Sequence, residues 1–271
     1  MGVRRRAATG IEVQGERGMS TRKVYLVTGS ASGVGAATAI KLSKQGGAVV
    51  VNYSKSAREA AEVAAECVRV GGEAISFQGD VAKDADCRRM AQAATDKWGR
   101  IDGLVNNAGT TKFAAMRDLE ALSAGDFQHI YAVNVIGAYQ MARACEKALR
   151  ASSGAIVNVS SVASTMGLGS SMAYAASKGA LNTLTLCLAR NLGPQVKVNA
   201  VLPGFIETRW LKDGLGAERY ALSQTAYKAQ SALNATLSPE EVADAIVWLL
   251  HAPKTTAQLV TLDAGKGIGT G

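Results

Sequence analysis

The sequence predicts an α/β fold: a doubly wound, parallel, seven-stranded sheet with helices on both faces. Three observations predict it. Short apolar runs alternate with longer helical stretches between residues 23 and 262. A glycine-rich turn, Gly29-Ser30-Ala31-Ser32-Gly33-Val34-Gly35, separates the first apolar run from the first helical stretch. The 271 residues suit one domain with a sizeable core, and neither an internal repeat nor a linker-like segment divides them.

Each element follows in order. Residues 23–28 read as a short buried strand, and the Ala-rich stretch 36–45 reads as a helix. Residues 48–52 form the second strand and the Ala/Glu-rich stretch 57–70 the next helix. The third strand, 74–78, ends in Gly79-Asp80-Val81 and leads to a helix over 83–98. The fourth strand, 101–105, runs into Asn106-Asn107-Ala108-Gly109. A long helix over 126–148 precedes the fifth strand, 155–159, and a helix over 172–192 precedes the sixth, 196–201. Ser238 is placed to cap a late helix over 239–250, and 258–262 is the seventh strand. Such alternation puts a ligand at the C-terminal ends of the strands.

Residues 1–18 hold Arg4, Arg5, Arg6 and Arg17 but lack apolar periodicity and the apolar core of a signal peptide. Residues 1–20 are expected to be a disordered extension, with 21–271 the folded domain. The net charge of +8 suits a solvated basic surface or a phosphorylated cofactor. Aromatics are few and no nucleic-acid motif is present, so a nucleic-acid partner is not expected. No apolar run reaches the ~20 residues needed to span a membrane. Cys67, Cys87, Cys145 and Cys187 lack metal-ligand spacing and read as reduced thiols of a cytoplasmic protein, with no metal expected.

Strand, glycine turn and helix make a phosphate cradle. Gly29 permits a tight turn, Gly33 and Gly35 let backbone approach a pyrophosphate, and the helix N-terminus offers free N–H groups. Farther along, Tyr174 and Lys178 stand four residues apart and share a helix face. A cation beside a phenol favours the phenolate and brings its pKa toward the working range, which suits proton transfer to a carbonyl.

The turn is spaced Thr-Gly-x-x-x-Gly-x-Gly. With Asn106-Asn107-Ala108-Gly109, Asn134, Ser161, Tyr174, Lys178 and Pro203-Gly204 in this order, residues 22–265 resemble the short-chain dehydrogenase/reductase family. Within it the chain is similar to 3-oxoacyl-acyl-carrier-protein reductases and to sugar or polyol dehydrogenases. The resemblance implies a Rossmann-type fold and a catalytic set of Asn134, Ser161, Tyr174 and Lys178. In that set Tyr174 is the acid/base, Ser161 steadies the carbonyl oxygen, Lys178 also holds the nicotinamide ribose, and Asn134 holds a relay water. It also implies that Asp80 and Val81 contact adenine and that Asn107, Ala108 and Gly109 lie along the cofactor. Pro203 and Gly204 close the sixth strand, and Ile206 and Thr208 reach the nicotinamide carboxamide. Asn134 inside a long helix calls for a local kink. Ser160 points away from Ser161 on an extended segment, so Ser161 is the candidate.

Tyr53 falls where NAD-preferring relatives carry an acidic residue. Ser54, Lys55 and Ser56 can hold a 2′-phosphate, although Ser32 stands where many NADP-specific relatives have arginine. The reading favours NADP(H) over NAD(H). Residues 205–235 are expected to form a substrate lid with Trp210, Leu211, Leu215, Tyr220 and Tyr227, and Phe113, Thr165, Met166 and Leu168 are expected to line the same pocket. Basic residues are sparse before the fifth strand, which weakens the case for an acyl carrier protein as partner. The expected function is NADP(H)-dependent interconversion of a ketone and a secondary alcohol, in a homotetramer. The alternatives are an NAD-dependent sugar or polyol dehydrogenase and a non-catalytic dinucleotide sensor. His129 and His251 read as structural or exposed.

Overall fold

Seven apolar runs become the strands of one sheet in a computed structural model that describes residues 22–269. The extension expected over residues 1–20 lies outside the described residues. The strands are β1 (Val24–Val27), β2 (Ala48–Tyr53), β3 (Glu73–Gln78), β4 (Gly103–Asn106), β5 (Ala155–Val159), β6 (Lys197–Pro203) and β7 (Leu259–Leu262). They lie in the order β3-β2-β1-β4-β5-β6-β7, and every neighbouring pair is parallel. Leu26 of β1 pairs with Val50 on one side and Leu104 on the other. The chain reverses its direction of travel across the sheet between β1 and β4, which opens a crevice at the strands' C-terminal ends.

The helices are α1 (Gly33–Lys44), α2 (Ala57–Arg69), α3 (Asp84–Trp98), α4 (Ala124–Tyr131), α5 (Ala138–Ser152), α6 (Ala163–Met166), α7 (Met172–Leu192), α8 (Arg209–Leu215), α9 (Ala217–Ala229) and α10 (Pro239–His251). Strand residues alternate between two cores. Val24 and Leu26 pack with Met90 and Trp98 of α3 and Met141 and Leu149 of α5. Tyr25 and Val27 pack with Leu42 of α1, Cys67 of α2 and Ile246 of α10. Capping boxes start α4 at Ser123 with Asp126 and α10 at Ser238 with Glu241, and the Ser171 hydroxyl accepts from Tyr174 N to start α7.

Two departures from expectation bear on the site. First, α1 begins inside the glycine motif, at Gly33 rather than residue 36, and its first turn packs against the turns that follow β1 and β4. A Cβ on Gly35 would lie 2.5 Å from Asn107 Nδ2 and 2.6 Å from Gly29 O. Second, the helix expected over 126–148 is interrupted. α4 and α5 are joined by a π-helical turn, Ala132–Gly137, that carries Asn134. The Asn134 amide is engaged elsewhere, accepting from Thr110 N at 2.8 Å and donating to Thr110 O at 3.0 Å. Such widened turns recur at functional sites. Gly137 lets this turn approach the end of β3, where a Cβ would lie 2.8 Å from Val81.

Gly35→Ala should therefore destabilise the protein by about 1–3 kcal/mol through overpacking. Chemical denaturation checks this; an unchanged midpoint would show that the contact yields.

Candidate active site

The C-terminal ends of the strands open into a cleft of about 1010 Å³. At one end the chain builds a cradle. Gly29 adopts a φ of +60° and tucks beneath Ala108, whose Cα would lie 2.9 Å from a Cβ on Gly29. Asn52, at the end of β2, clasps this turn: its Oδ1 accepts from Gly29 N at 3.0 Å, and its Nδ2 donates to Gly79 O at 3.0 Å. Thr28 Oγ1 accepts from Asn107 N and Ala108 N, both at 3.0 Å. Asn107 Nδ2 donates back to Thr28 O and Gly29 O at 2.9 Å. Gly33 also has a positive φ, and a Cβ there would meet only Thr208 Cγ2, at 3.6 Å. Ser32, Gly33 and Val34 line the cleft where α1 starts, and the first turn of α1 carries no acidic residue. This end fits the pyrophosphate of a dinucleotide: bare backbone, a helix N-terminus and room above Gly33.

Ser54, Lys55, Ser56, Asp80, Val81, Asn107, Ala108, Gly109, Pro203, Gly204, Ile206 and Thr208 also line the cleft. Tyr53 does not. Its side chain packs on the core shared by α1 and α2, because neighbouring strand residues face opposite ways and Asn52 takes the cleft side. Gly35 lies behind Asn107, and Asn134 lies behind Gly109.

Ser161, Tyr174 and Lys178 meet at the cleft floor. Lys178 is 3% exposed; its Nζ donates to Val159 O at 2.7 Å and stands 5.5 Å from the Tyr174 ring centre. Burial pulls the Lys178 ammonium down to about 8. Burial also pushes the Tyr174 phenol up to about 12, with a hydrogen bond from Ser161 acting in the opposite direction. The expectation that Lys178 brings the phenol pKa down does not hold in the protein alone. Desolvation prevails, and the ammonium is committed to the Val159 carbonyl.

The loop bearing Ser161 is tied to the helix bearing Tyr174. Ser160 Oγ donates to Lys178 O at 3.2 Å. Ser164 Oγ donates to Ser161 O at 2.5 Å, and Asn182 Nδ2 of α7 donates to Ser164 Oγ at 2.8 Å. Ser177 Oγ accepts from Asn134 Nδ2 at 2.9 Å, joining the π-helical turn to the same helix. Asn52 and Asn182 carry no local signal in the sequence, since their partners lie on other elements. Phe205, Arg209 and Lys266 line the cleft as well, and so does His129, although exposed. His251 bonds Tyr25 Oη at 2.8 Å, away from the cleft.

The expected lid is two helices, α8 and α9. Thr208 starts α8, its side chain accepting from Leu211 N at 3.3 Å. Trp210, Leu211, Leu215 and Tyr227 line the cleft with Phe113, Met166 and Leu168. Thr165 and Tyr220 do not; Tyr220 stacks on Phe205 with centroids 5.3 Å apart.

Fold and cleft together define a dinucleotide-dependent oxidoreductase, and comparison with known proteins makes the class specific. The family model described as Enoyl-(Acyl carrier protein) reductase matches residues 29–266. A protein of Streptomyces violaceoruber, named as ketoacyl reductase 2 of the granaticin polyketide synthase, is 39% identical over 89% of this chain and 95% of its own length. The 3-oxoacyl-[acyl-carrier-protein] reductase of Synechocystis sp. is 37% identical over 90% of this chain and 97% of its own. A crystal structure named as a short-chain dehydrogenase/reductase from Burkholderia xenovorans has a TM-score of 0.86 and 39% identity, covering 93% of this chain and all of that one. The chain belongs to the short-chain dehydrogenase/reductase family. It is an oxidoreductase of the NAD(P)(H)-using, ketoacyl-reductase-like kind. No helix among the described residues is long and apolar enough to cross a membrane.

The buried lysine has a thermodynamic signature. Folded, its ammonium releases its proton near pH 8; unfolded, near its ordinary 10.5. Between those values the unfolded chain binds more protons, so wild-type stability rises with pH and the cost of burying the charge fades. Lys178→Met removes the charge. It should melt above wild type at pH 7, with the gap narrowing above pH 8. Melting below wild type at pH 7 would contradict the burial cost.

Proposed function

We propose that the protein is an NADP(H)-dependent reductase that converts a ketone to a secondary alcohol with Tyr174 as acid/base. The observation that carries this reading is the meeting of Ser161, Tyr174 and Lys178 on one cleft floor, beside a helix N-terminus with bare glycine backbone. When bound, the nicotinamide supplies the hydride to the carbonyl carbon. Ser161 donates a hydrogen bond to the carbonyl oxygen and steadies the charge that develops there. Tyr174 gives that oxygen its proton. Lys178, behind the phenol, would hold the nicotinamide ribose, and Asn134 and the π-helical turn provide the polar route by which the proton is restored. Overall, ketone, reduced cofactor and a proton give alcohol and oxidised cofactor. A phenol pushed up to about 12 is suited to remain a proton donor at neutral pH until substrate and cofactor arrive.

Three features support NADP(H). No carboxylate occurs at positions 53–56, Lys55 faces the cleft between two serines, and Arg209 of the lid lies 3.9 Å from Glu59 in the first turn of α2, countering its charge there. A charge-assisted bond from Lys55 to a 2′-phosphate, screened by solvent at this exposed position, favours NADPH by roughly a few-fold. Exposed apolar side chains on α4, α5, α7 and the π-helical turn (Phe127, Ile136, Tyr139, Leu186) support a homo-oligomer, taken as a tetramer. Four free thiols, three of them buried, support a reducing, cytoplasmic setting.

Two measurements test the reading. Tyr174→Phe should lower kcat by ~100-fold or more, since it removes the proton donor; near-normal turnover refutes the assignment. With both cofactors in steady-state kinetics, wild type should prefer NADPH, and Lys55→Ala should weaken NADPH while sparing NADH. A preference for NADH overturns the cofactor assignment alone.

A further inference from the structure

The cleft beyond Ser161 and Tyr174 is walled by rings. Phe113, in the loop after β4, meets Trp210 of α8 with centroids 5.6 Å apart and planes tilted by 50°. Trp210 in turn meets the Tyr174 ring at 6.5 Å and 42°. Met166, Leu168 and Leu215 add apolar surface. The contact between loop and lid is built into the backbone. Gly214 presents no side chain to Phe113, and a Cβ there would lie 1.9 Å from ring Cε2. Trp210 remains 46% exposed, and its indole N–H has no hydrogen-bond partner among the described residues.

The charged side chains that line the cleft are held by partners or lie at the ends of β2 and β3. Arg209 turns toward Glu59 of α2, Lys55 and Asp80 follow β2 and β3, and Lys266 bonds Gln230. A polyhydroxylated substrate could reach the hydroxyls of Ser170, Ser223 and Tyr227 that also line the cleft, but any hydroxyl set against Met166, Leu168 or Leu215 would lose its water without gaining a partner. A flat ring gains in the same place, because aromatic pairs in tilted or offset contact attract beyond the area they bury.

We infer that the substrate is an aromatic ketone whose ring lies against Trp210 and Phe113 while its carbonyl oxygen reaches Tyr174 and Ser161. This rests on the ketone-reductase reading above and names the substrate class of that site. Trp210 is the specificity-determining residue: it touches both the catalytic phenol and the ring-bearing loop. Phe113, seated on Gly214, holds the indole in place.

The test compares 2-tetralone with 2-decalone, bicyclic ketones with the same carbon skeleton in which one ring is aromatic or saturated and neither carbonyl is conjugated. Under NADPH, wild type should show kcat/KM for 2-tetralone at least about tenfold above that for 2-decalone, as two stacking contacts imply. Trp210→Leu should lower kcat/KM for 2-tetralone more than for 2-decalone and so lose the preference, and Phe113→Leu should reduce the preference. Equal rates in wild type, or a preference unchanged in Trp210→Leu, overturn the inference. So does failure of both ketones when another ketone is reduced. If no ketone is reduced with NADPH or NADH, the parent reading fails instead, and binding decides the aromatic wall. By calorimetry, 2-naphthol should then bind at least about tenfold more tightly than decahydro-2-naphthol, with the gap lost in Trp210→Leu; equal binding overturns it.

Discussion

The ammonium of Lys178, buried with the Val159 carbonyl as its hydrogen-bond partner, is the constraint on which the site depends. Taking an ammonium out of water is expensive, and a single carbonyl offsets only part of the cost. The fold bears it because everything around the lysine is already fixed. Small and polar residues on α7, among them Ala175, Ser177, Asn182 and Thr185, are buried. A polar ladder runs beneath, with Asn106 Nδ2 donating to Asn158 Oδ1 at 2.9 Å and Asn158 Nδ2 donating to Thr185 Oγ1 at 2.8 Å. It joins β4, β5 and α7 in the middle of the molecule. Tyr174, one turn before Lys178, is thereby placed on the cleft floor without freedom to turn away.

The lid is held to this rigid floor by fewer and more exposed contacts. Glu207 Oε1 accepts from Gln224 Nε2 at 2.7 Å and Thr236 Oγ1 at 2.5 Å, with Lys228 Nζ 3.7 Å away. These partners, the Thr236 hydroxyl first, hold its carboxyl below the usual range. One carboxylate thus gathers α9 and the segment after it onto the loop that leads from β6 to α8. Below, Tyr227 Oη donates to Asp263 O at 2.9 Å across bare Gly204. Neither α8 nor α9 contains a buried residue, so the lid can shift as a unit over an unmoving floor.

Much of this was legible in the sequence because its signals are local. Apolar runs bounded by glycines give the strands, Ser238 and Glu241 give the start of α10, and the four-residue spacing of Tyr174 and Lys178 gives their shared face. Asn134 was legible as an anomaly, a poor helix residue in a long helix, and the π-helical turn explains it. What escaped depends on distant partners. Asn52 and Tyr53 are neighbours, yet only strand register decides which faces the cleft. Asn182 is an ordinary helix asparagine until Ser164 is brought beside it. The phenol's upward shift also escaped, since adjacency of Tyr174 and Lys178 says nothing of how deeply both are buried.

The most direct test of the central claim is the path of the hydride. Wild type incubated with a ketone and NADPH carrying deuterium at the transferable C4 position should yield alcohol with one deuterium on the carbinol carbon, read by mass spectrometry. Alcohol that forms without the label, or a labelled cofactor that binds and returns unchanged with every ketone and 3-oxoacyl thioester tried, would contradict it.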